Sequence, residues 1–414
     1  MSTHRAAVLR GALAGAAAVA LLACLVPLLV ASPANGTSVA APPVVAAGPG
    51  PVCGLWYGIG DTPTPEEIEL AAERYQVVVL NAWETDTLHR LHTLNPDITV
   101  LVYKDLSSTR SYPGAVTGDT DADHIPTGIG YNAAQRDHPE WFALDTHGDR
   151  IEWDGYPQHW QMTVWNPDYQ RAWAATTTDE AVRAGWDGVF ADNDFAHLDF
   201  YSSALLAGTT TPDATDQIIR DGLDDLITTA GTHLAAANKL LVPNISEARL
   251  FPGRWQSHAR YGGAMEEYFA YFPGQILTDQ GGTSPWTAQT SQPATPGGLA
   301  LLVTRSSNLQ VQRYAFASAA IRSGGRTCWT APTTEDYSQP EWSIYQDVPF
   351  GAATGPAMRE PFGAWTRSFD NGWMAVNPTG TALVLEPPAG LRLLDGTPVD
   401  SVTLRAGDAV LLVR

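Results

Sequence analysis

Lysine is nearly absent from this chain: Lys104 and Lys239 are the only two in 414 residues. Lysine and arginine together number 24 against 44 acids, a formal net charge of −20. That deficit argues against nucleic acid and anionic membrane surfaces as partners, because both are held by an excess of cations. No GxSxG elbow is present, which argues against a serine esterase. The ten histidines form no HxH or HExxH pattern, and His89 and His92 share a helix face without a third ligand. Neither a catalytic metal nor a cofactor is expected. No glycine-rich phosphate loop follows the first strand, which weakens the case for an open, dinucleotide-binding sheet.

Cysteine is equally sparse, with Cys24, Cys53 and Cys328. Cys24 falls in an uncharged run, Gly11 to Ala31, that follows Arg5 and Arg10. A basic start, an apolar stretch and a small-residue segment form the pattern of a secretory signal over residues 1–41. The run is also long enough to serve as an uncleaved membrane anchor. Leu21 to Cys24 resembles a lipoprotein box, but the apolar residues after Cys24 argue against lipidation. The expectation is therefore an exported protein, secreted or anchored facing outward. Residues 42–51, with Pro42, Pro43, Pro49 and Pro51, form a linker. Cys53 and Cys328 then remain, either as one disulfide or as two buried free thiols.

After the linker, short apolar runs alternate with helical segments. Strand candidates begin at Gly54, Val77, Thr99, Gly188, Leu240, Gly263, Leu299 and Thr327. Thr64-Pro65-Glu66-Glu67 is a capping box that launches a helix to about Tyr75. Further helices are expected over about 86–94, 167–184, 214–237 and 308–322. Eight such strands without hairpin signals predict a (β/α)8 TIM barrel over 52–350, with a doubly wound sheet as the alternative. In a closed barrel the eighth strand lies beside the first, which brings Cys328 within reach of Cys53. From 351 to 414 the pattern becomes short strands and turns, a small antiparallel, sandwich-like β domain.

The chemistry is expected where strands end in acids. Gly188 to Ala191 opens into Asp192-Asn193-Asp194, and Gly263 to Met265 opens into Glu266-Glu267. Ligands of parallel α/β folds sit at the carboxyl ends of strands. A carboxylate there is either a cap or surface charge, or a functional group. Two acid groups two strands apart face one side of a barrel mouth, the pair that glycosidic hydrolysis requires. Asn81, Lys104 and Asn244 also end strands and are candidates to bind substrate hydroxyls, as are Asn193, Asp194 and Glu266. Trp56 is a candidate sugar-stacking ring. Asp119, Asp121 and Asp123 alternate in a loop but lack the glycine and closing glutamate of an EF-hand, and are expected to be a solvated turn.

His138-Pro139-Glu140-Trp141-Phe142, Gly148-Asp149-Arg150-Ile151, Trp165-Asn166-Pro167-Asp168-Tyr169 and Gly185 to Asn193 together resemble a bacterial set called hypothetical glycosyl hydrolase family 15. Those proteins are similar to the α-galactosidase-like TIM-barrel enzymes. Gly351 to Pro356, Arg367-Ser368-Phe369 and Val376-Asn377-Pro378 resemble the β domain that follows such barrels. The resemblance implies an exported, retaining glycoside hydrolase acting on a poly- or oligosaccharide. It implies Asp192 as nucleophile, in a D-x-x-x-x-D-N setting that starts at Asp187, and Glu267 as acid/base with Glu266 in reserve. Thr163 stands where an Asp is expected, and a Glu stands where the α-galactosidases carry Asp. A non-catalytic carbohydrate-binding protein on the same scaffold is the alternative, and a different hydrolase is a third reading.

Overall fold

The computed structural model describes residues 50–246, 248–272, 274–280, 283–293, 298–324, 326–333 and 337–414. The expected signal or anchor, and all but the last two residues of the expected linker, lie outside them. Among the described residues no helix is long and apolar enough to cross a membrane.

Eight parallel strands follow one another around a ring: β1 Cys53–Gly58, β2 Val77–Leu80, β3 Thr99–Asp105, β4 Gly188–Asp192, β5 Leu240–Pro243, β6 Gly263–Glu266, β7 Leu299–Val303 and β8 Thr327–Thr330. β8 pairs with β1, and bridges from Leu241 to Gly262 and from Asn244 to Met265 join β5 to β6. The sheet thus closes as a TIM barrel rather than an open sheet. Strands such as Val77–Leu80 are apolar throughout because the barrel buries both of their faces.

The side chains alternate in and out. Leu55, Tyr57, Val77, Val79, Leu101, Tyr103, Phe190, Val242, Met265 and Leu301 belong to one cluster inside the barrel. Trp56, Val78, Val102 and Ala191 belong to the layer beneath the helices. Cys53 lies opposite Cys328 in the β1–β8 register, and a disulfide joins them with Cα atoms 4.2 Å apart.

The helices begin where caps dictate. Thr64 and Glu67 exchange both capping-box hydrogen bonds at the start of Pro65–Arg74. Pro167–Ala184 starts on the Asn166 side chain and stops at Gly185, whose left-handed φ of 87° a β-carbon would oppose. Pro212–Ala236 starts slightly earlier than its hydrophobic pattern suggests, because Thr211 caps it ahead of Pro212. Tyr131–Asp137, Arg254–Ala259 and Pro285–Ser291 are short helices that the periodicity does not reveal. Asp121 is not simply solvated: its carboxylate accepts from Asn132 and Ala133 N–H at 2.8 and 2.9 Å and caps the first of these.

The excursion between β3 and β4 contains an antiparallel sheet, Ser108–Arg110 with Tyr156–Gln161 and Glu152–Trp153. The C-terminal segment forms a second, from Met358–Arg359, Trp365–Phe369, Gly372–Asn377 and Asp408–Val413. Along its central strand Met374 and Val376 pack with Tyr314 and Phe316 of helix Leu309–Arg322. Trp373 and Ala375 point the other way and pack with Leu385 and Leu404 of a two-stranded hairpin. The helix is buried nearly all round because it lies between barrel and sheet.

Candidate active site

Strand alternation decides which residues face the mouth of the barrel. Phe190 points inward, so Asp192 does as well; Met265 points inward, so Glu267 follows it and Glu266 does not. The same parity brings Asn244 inward after Val242, Tyr103 and Asp105 inward after Leu101, and Arg305 inward after Val303. These residues meet at the carboxyl ends of the strands.

Asp192 accepts the Tyr103 hydroxyl at 2.6 Å and the Asn244 side-chain N–H at 3.0 Å. The same Asn244 nitrogen donates to Glu267 at 2.9 Å. These two legs, 3.0 and 2.9 Å, cap the separation of the two bonded carboxyl oxygens at 5.9 Å. Glu267 also accepts the Tyr337 hydroxyl at 2.7 Å and pairs with Arg305. Each carboxyl therefore has its own tyrosine. Arg110 reaches Asp192 only indirectly: it donates to the Tyr103 oxygen at 3.0 Å and to Asp105 at 3.2 Å.

Burial pushes the Asp192 carboxyl up to about 6, and the negative charges of Glu267 and Asp105 add to the rise. Asp105 is the cross-strand neighbour of Asp192 in the β3–β4 register. The hydrogen bonds from Tyr103 and Asn244 oppose the shift by favouring the anion. Burial likewise drives the Tyr57 and Tyr103 hydroxyls well above their usual range, so both remain neutral donors.

The other sequence candidates are distributed differently. Lys104 faces away from the mouth. It is fully buried beneath the helices, where its ammonium pairs with Glu180 at 2.6 Å and donates to the Ile125 carbonyl at 2.6 Å. The expectation that it binds substrate is corrected by that parity: Tyr103 and Asp105 take the inward positions. Trp56 is also turned outward and is 2% exposed, a core ring and not a stacking surface. Glu266 is buried outside the barrel, where neither carboxyl oxygen makes a hydrogen bond of ordinary geometry. Burial raises it to about 7, moderated by the Arg249 charge and by the nearby Tyr268 N–H and Gln289. Glu267, not Glu266, accompanies Asp192.

Asp194 is fully buried in a network with Arg254 and His258, both of which also reach Asp224. Although burial opposes it, the Arg254 and His258 charges hold its carboxyl below the usual range. Asp194 thus anchors the turn after β4 from behind. Asn193 adopts φ 63° between the two acids, and its side chain accepts the Tyr201 hydroxyl at 2.8 Å. Asn81 ends β2 facing inward and donates to the Gly60 carbonyl at 3.0 Å. Asp187, at the foot of β4, accepts from Val100 N–H at 2.7 Å and lies 3.0 Å from His92 Nε2, so it ties strands together far from the acids.

Four side chains that meet the acids are not marked by the strand-end pattern of the sequence: Tyr103, Arg305, Arg110 and Tyr337. Tyr103 and Arg305 were accessible through strand parity alone. Arg110 and Tyr337 stand outside the barrel strands, Arg110 on the inserted sheet and Tyr337 after β8. Among the described residues one group has the make-up of a cation site: His197, Asp199 and Asp216, with ligand atoms within 4.8 Å of one another. Its His197 Nδ1 already lies 2.6 Å from Asp216, whose other oxygen accepts the Leu198 N–H at 3.2 Å.

Among solved structures, the chain is similar to the glycoside hydrolase domain of PelA from Pseudomonas aeruginosa at 14% identity and TM-score 0.42, covering 69% of this chain and 96% of that one. It is similar to Aspergillus fumigatus Ega3 in complex with galactosamine at 12% identity and TM-score 0.43, covering 74% and 98%. A GH36 α-galactosidase from Geobacillus stearothermophilus in complex with stachyose matches at 12% identity and TM-score 0.43, covering 91% of this chain and 57% of that one. No curated protein matches the chain. The family model for hypothetical glycosyl hydrolase family 15 matches residues 92–373, from the second helix through β8 and into the C-terminal sheet. The chain belongs to hypothetical glycosyl hydrolase family 15 and is a glycosidase.

Proposed function

We propose that the chain is an exported, retaining glycoside hydrolase in which Asp192 is the nucleophile and Glu267 the acid/base. The observation that carries this reading is the single amide of Asn244 between the two carboxyls. Its limit of 5.9 Å between the bonded oxygens falls near the spacing of roughly 5–5.5 Å that accompanies retention and short of the roughly 6.5–9.5 Å that leaves room for an inverting water. In the first step Asp192 attacks the anomeric carbon while Glu267 protonates the departing glycosidic oxygen. In the second, Glu267 takes a proton from water, which cleaves the glycosyl ester and frees Asp192. With its pKa at about 6, Asp192 is mostly ionised at neutral pH, as a nucleophile requires. The substrate is a poly- or oligosaccharide.

A second reading exchanges the two roles. Two observations favour it: Arg305 pairs directly with Glu267, and burial raises Asp192. Glycine variants separate the two readings. With azide and an activated aryl glycoside, a variant lacking the nucleophile yields glycosyl azide of inverted configuration, and one lacking the acid/base yields the retained anomer.

The enclosing experiment is reducing-sugar release from a panel of polysaccharides, by the wild type beside Asp192→Asn. Release by the wild type alone supports the proposal. Release by both overturns the role of Asp192. Binding without release by the wild type favours a carbohydrate-binding protein instead.

A further inference from the structure

The hairpin inserted between β3 and β4 carries an irregularity that its fold alone does not demand. Glu152 and Trp153 are adjacent, yet their cross-strand partners are Trp160 and Tyr156. Pro157, Gln158 and His159 therefore have no opposite residues on the Glu152–Trp153 strand. Gln158 stands at φ 66°, a left-handed conformation that is unfavourable for a non-glycine residue. Two bonds hold it there. The Glu152 carboxylate accepts the Gln158 N–H at 2.6 Å, and the Gln158 carbonyl accepts from Ser111 at 3.0 Å.

The bulge changes which side chains share a face. In a regular strand Tyr156 and His159, three apart, point to opposite faces. Here both rings lie against Trp153, with centroids 6.2 and 5.9 Å away, and 5.6 Å from each other. Bulges beside active sites commonly re-aim side chains in this way. Trp153 stacks in turn on Tyr201, centroids 4.1 Å apart and planes 15° from parallel. Phe200 stands edge-on to Tyr201 at 5.1 Å. Tyr201 closes the link to the chemistry, because its hydroxyl donates to Asn193, the residue after Asp192.

The outer rings of this cluster face water: Tyr156 is 48% exposed and Phe200 65%. The inner rings, Trp153 and Tyr201, brace them. Burial and the Arg110 charge lower the His159 pKa, which keeps that imidazole neutral and suited to an apolar contact. A rigid, partly exposed aromatic surface with polar ring edges matches the chemistry of a pyranose, which has an apolar C–H face and a hydroxylated rim.

We infer that the Gln158 bulge builds a glycan-binding subsite, with Tyr156 and Phe200 as platforms for sugar rings on the β3–β4 side of the cleft. This inference rests on the hydrolase reading for its ligand class. The subsite grips sugar units beyond the one between Asp192 and Glu267, so it favours substrates of several residues.

The test uses the full chain with Tyr156→Ala, Phe200→Ala and, as a control on the C-terminal sheet region, Phe362→Ala. The probes are disaccharides and hexasaccharides of the cellulose, starch, xylan, chitin and chitosan series. Binding is read by tryptophan fluorescence in an Asp192→Asn background, and KM is read in the active chain. For the hexasaccharide that the wild type takes, Kd and KM rise about tenfold in each platform variant, with a smaller rise for the disaccharide. Phe362→Ala leaves both unchanged. An unchanged hexasaccharide Kd in both platform variants overturns the subsite, as does a wild type that binds no member of the series. If hexasaccharide binding depends on Tyr156 while the wild type cleaves nothing, the hydrolase reading fails and the subsite stands.

Discussion

Asp192 and Glu267 are hydrogen-bonded by one and the same amide, Asn244 Nδ2, at 3.0 and 2.9 Å. One –NH2 has two hydrogens, and each carboxyl takes one. The amide thereby offsets part of the repulsion between two acids held in the same mouth. The Asn244 carbonyl oxygen is buried without a partner, so the residue serves the acids more than it serves packing.

Replacing Asn244 by Ala tests that role. The expected loss in kcat/KM is about 10²–10³-fold, similar to removal of one preorganised donor in other enzymes. The melting temperature should change little, because the substitution also removes the unpaired oxygen. A loss of folding with full specific activity in the surviving fraction would show a purely structural residue.

The pH profile follows from the raised Asp192. As nucleophile it acts ionised, so kcat/KM rises with pH through an acid limb near 6. Burial is the main cause of the rise and the charges of Glu267 and Asp105 add to it, while Arg110 pairs with Asp105 and Arg305 with Glu267. Glu267→Gln removes one negative charge, and the remaining activity on an activated glycoside should show its acid limb at lower pH. A rate that falls through pH 6 in the wild type would support the exchanged roles.

Glu266 makes a separate prediction about stability. Its folded pKa of about 7 lies above the unfolded value of about 4.3, so folding favours the protonated form. The stabilisation is complete below the unfolded value and is lost as pH rises through 7. Glu266→Gln should therefore match the wild type near pH 4 and exceed it by about 3 kcal/mol at pH 8. Thermal melts at both pH values measure the difference; equal gains at both would contradict a neutral buried acid.

Lys104 and Glu180 form a fully enclosed ion pair away from the cleft. Lys104→Met strands the partner carboxylate and should cost about 3–5 kcal/mol. Adding Glu180→Leu should recover most of that loss. Urea titrations check both, and a raised KM with unchanged stability in Lys104→Met would return Lys104 to the substrate.

Much of this arrangement is legible in the residue pattern. The apolar runs, the capping box at Thr64 and the N-cap at Asn166 locate the strands and helices of a barrel, since burial on both faces leaves few alternatives to Val, Leu and Ile. The acids after Ala191 and Met265 mark the mouth. Alternation also distinguishes Glu267 from Glu266, and Tyr103 from Lys104, once Met265 and Leu101 are placed inward. Tyr337 is different. It reaches Glu267 from a segment after β8 with φ 54°, and no periodicity foretells that position. The Tyr156–His159 face is hidden for a similar reason, because the bulge breaks the alternation on which sequence reading depends.

The anomeric configuration of the first sugar released tests the central claim most directly. Proton NMR, recorded while the wild type cleaves a substrate of known configuration and before mutarotation, reads it in one spectrum. A carboxyl pair held this close by Asn244 predicts a first product with the configuration of the substrate. A first product of the opposite configuration would contradict a nucleophilic Asp192 and require a water between the two acids.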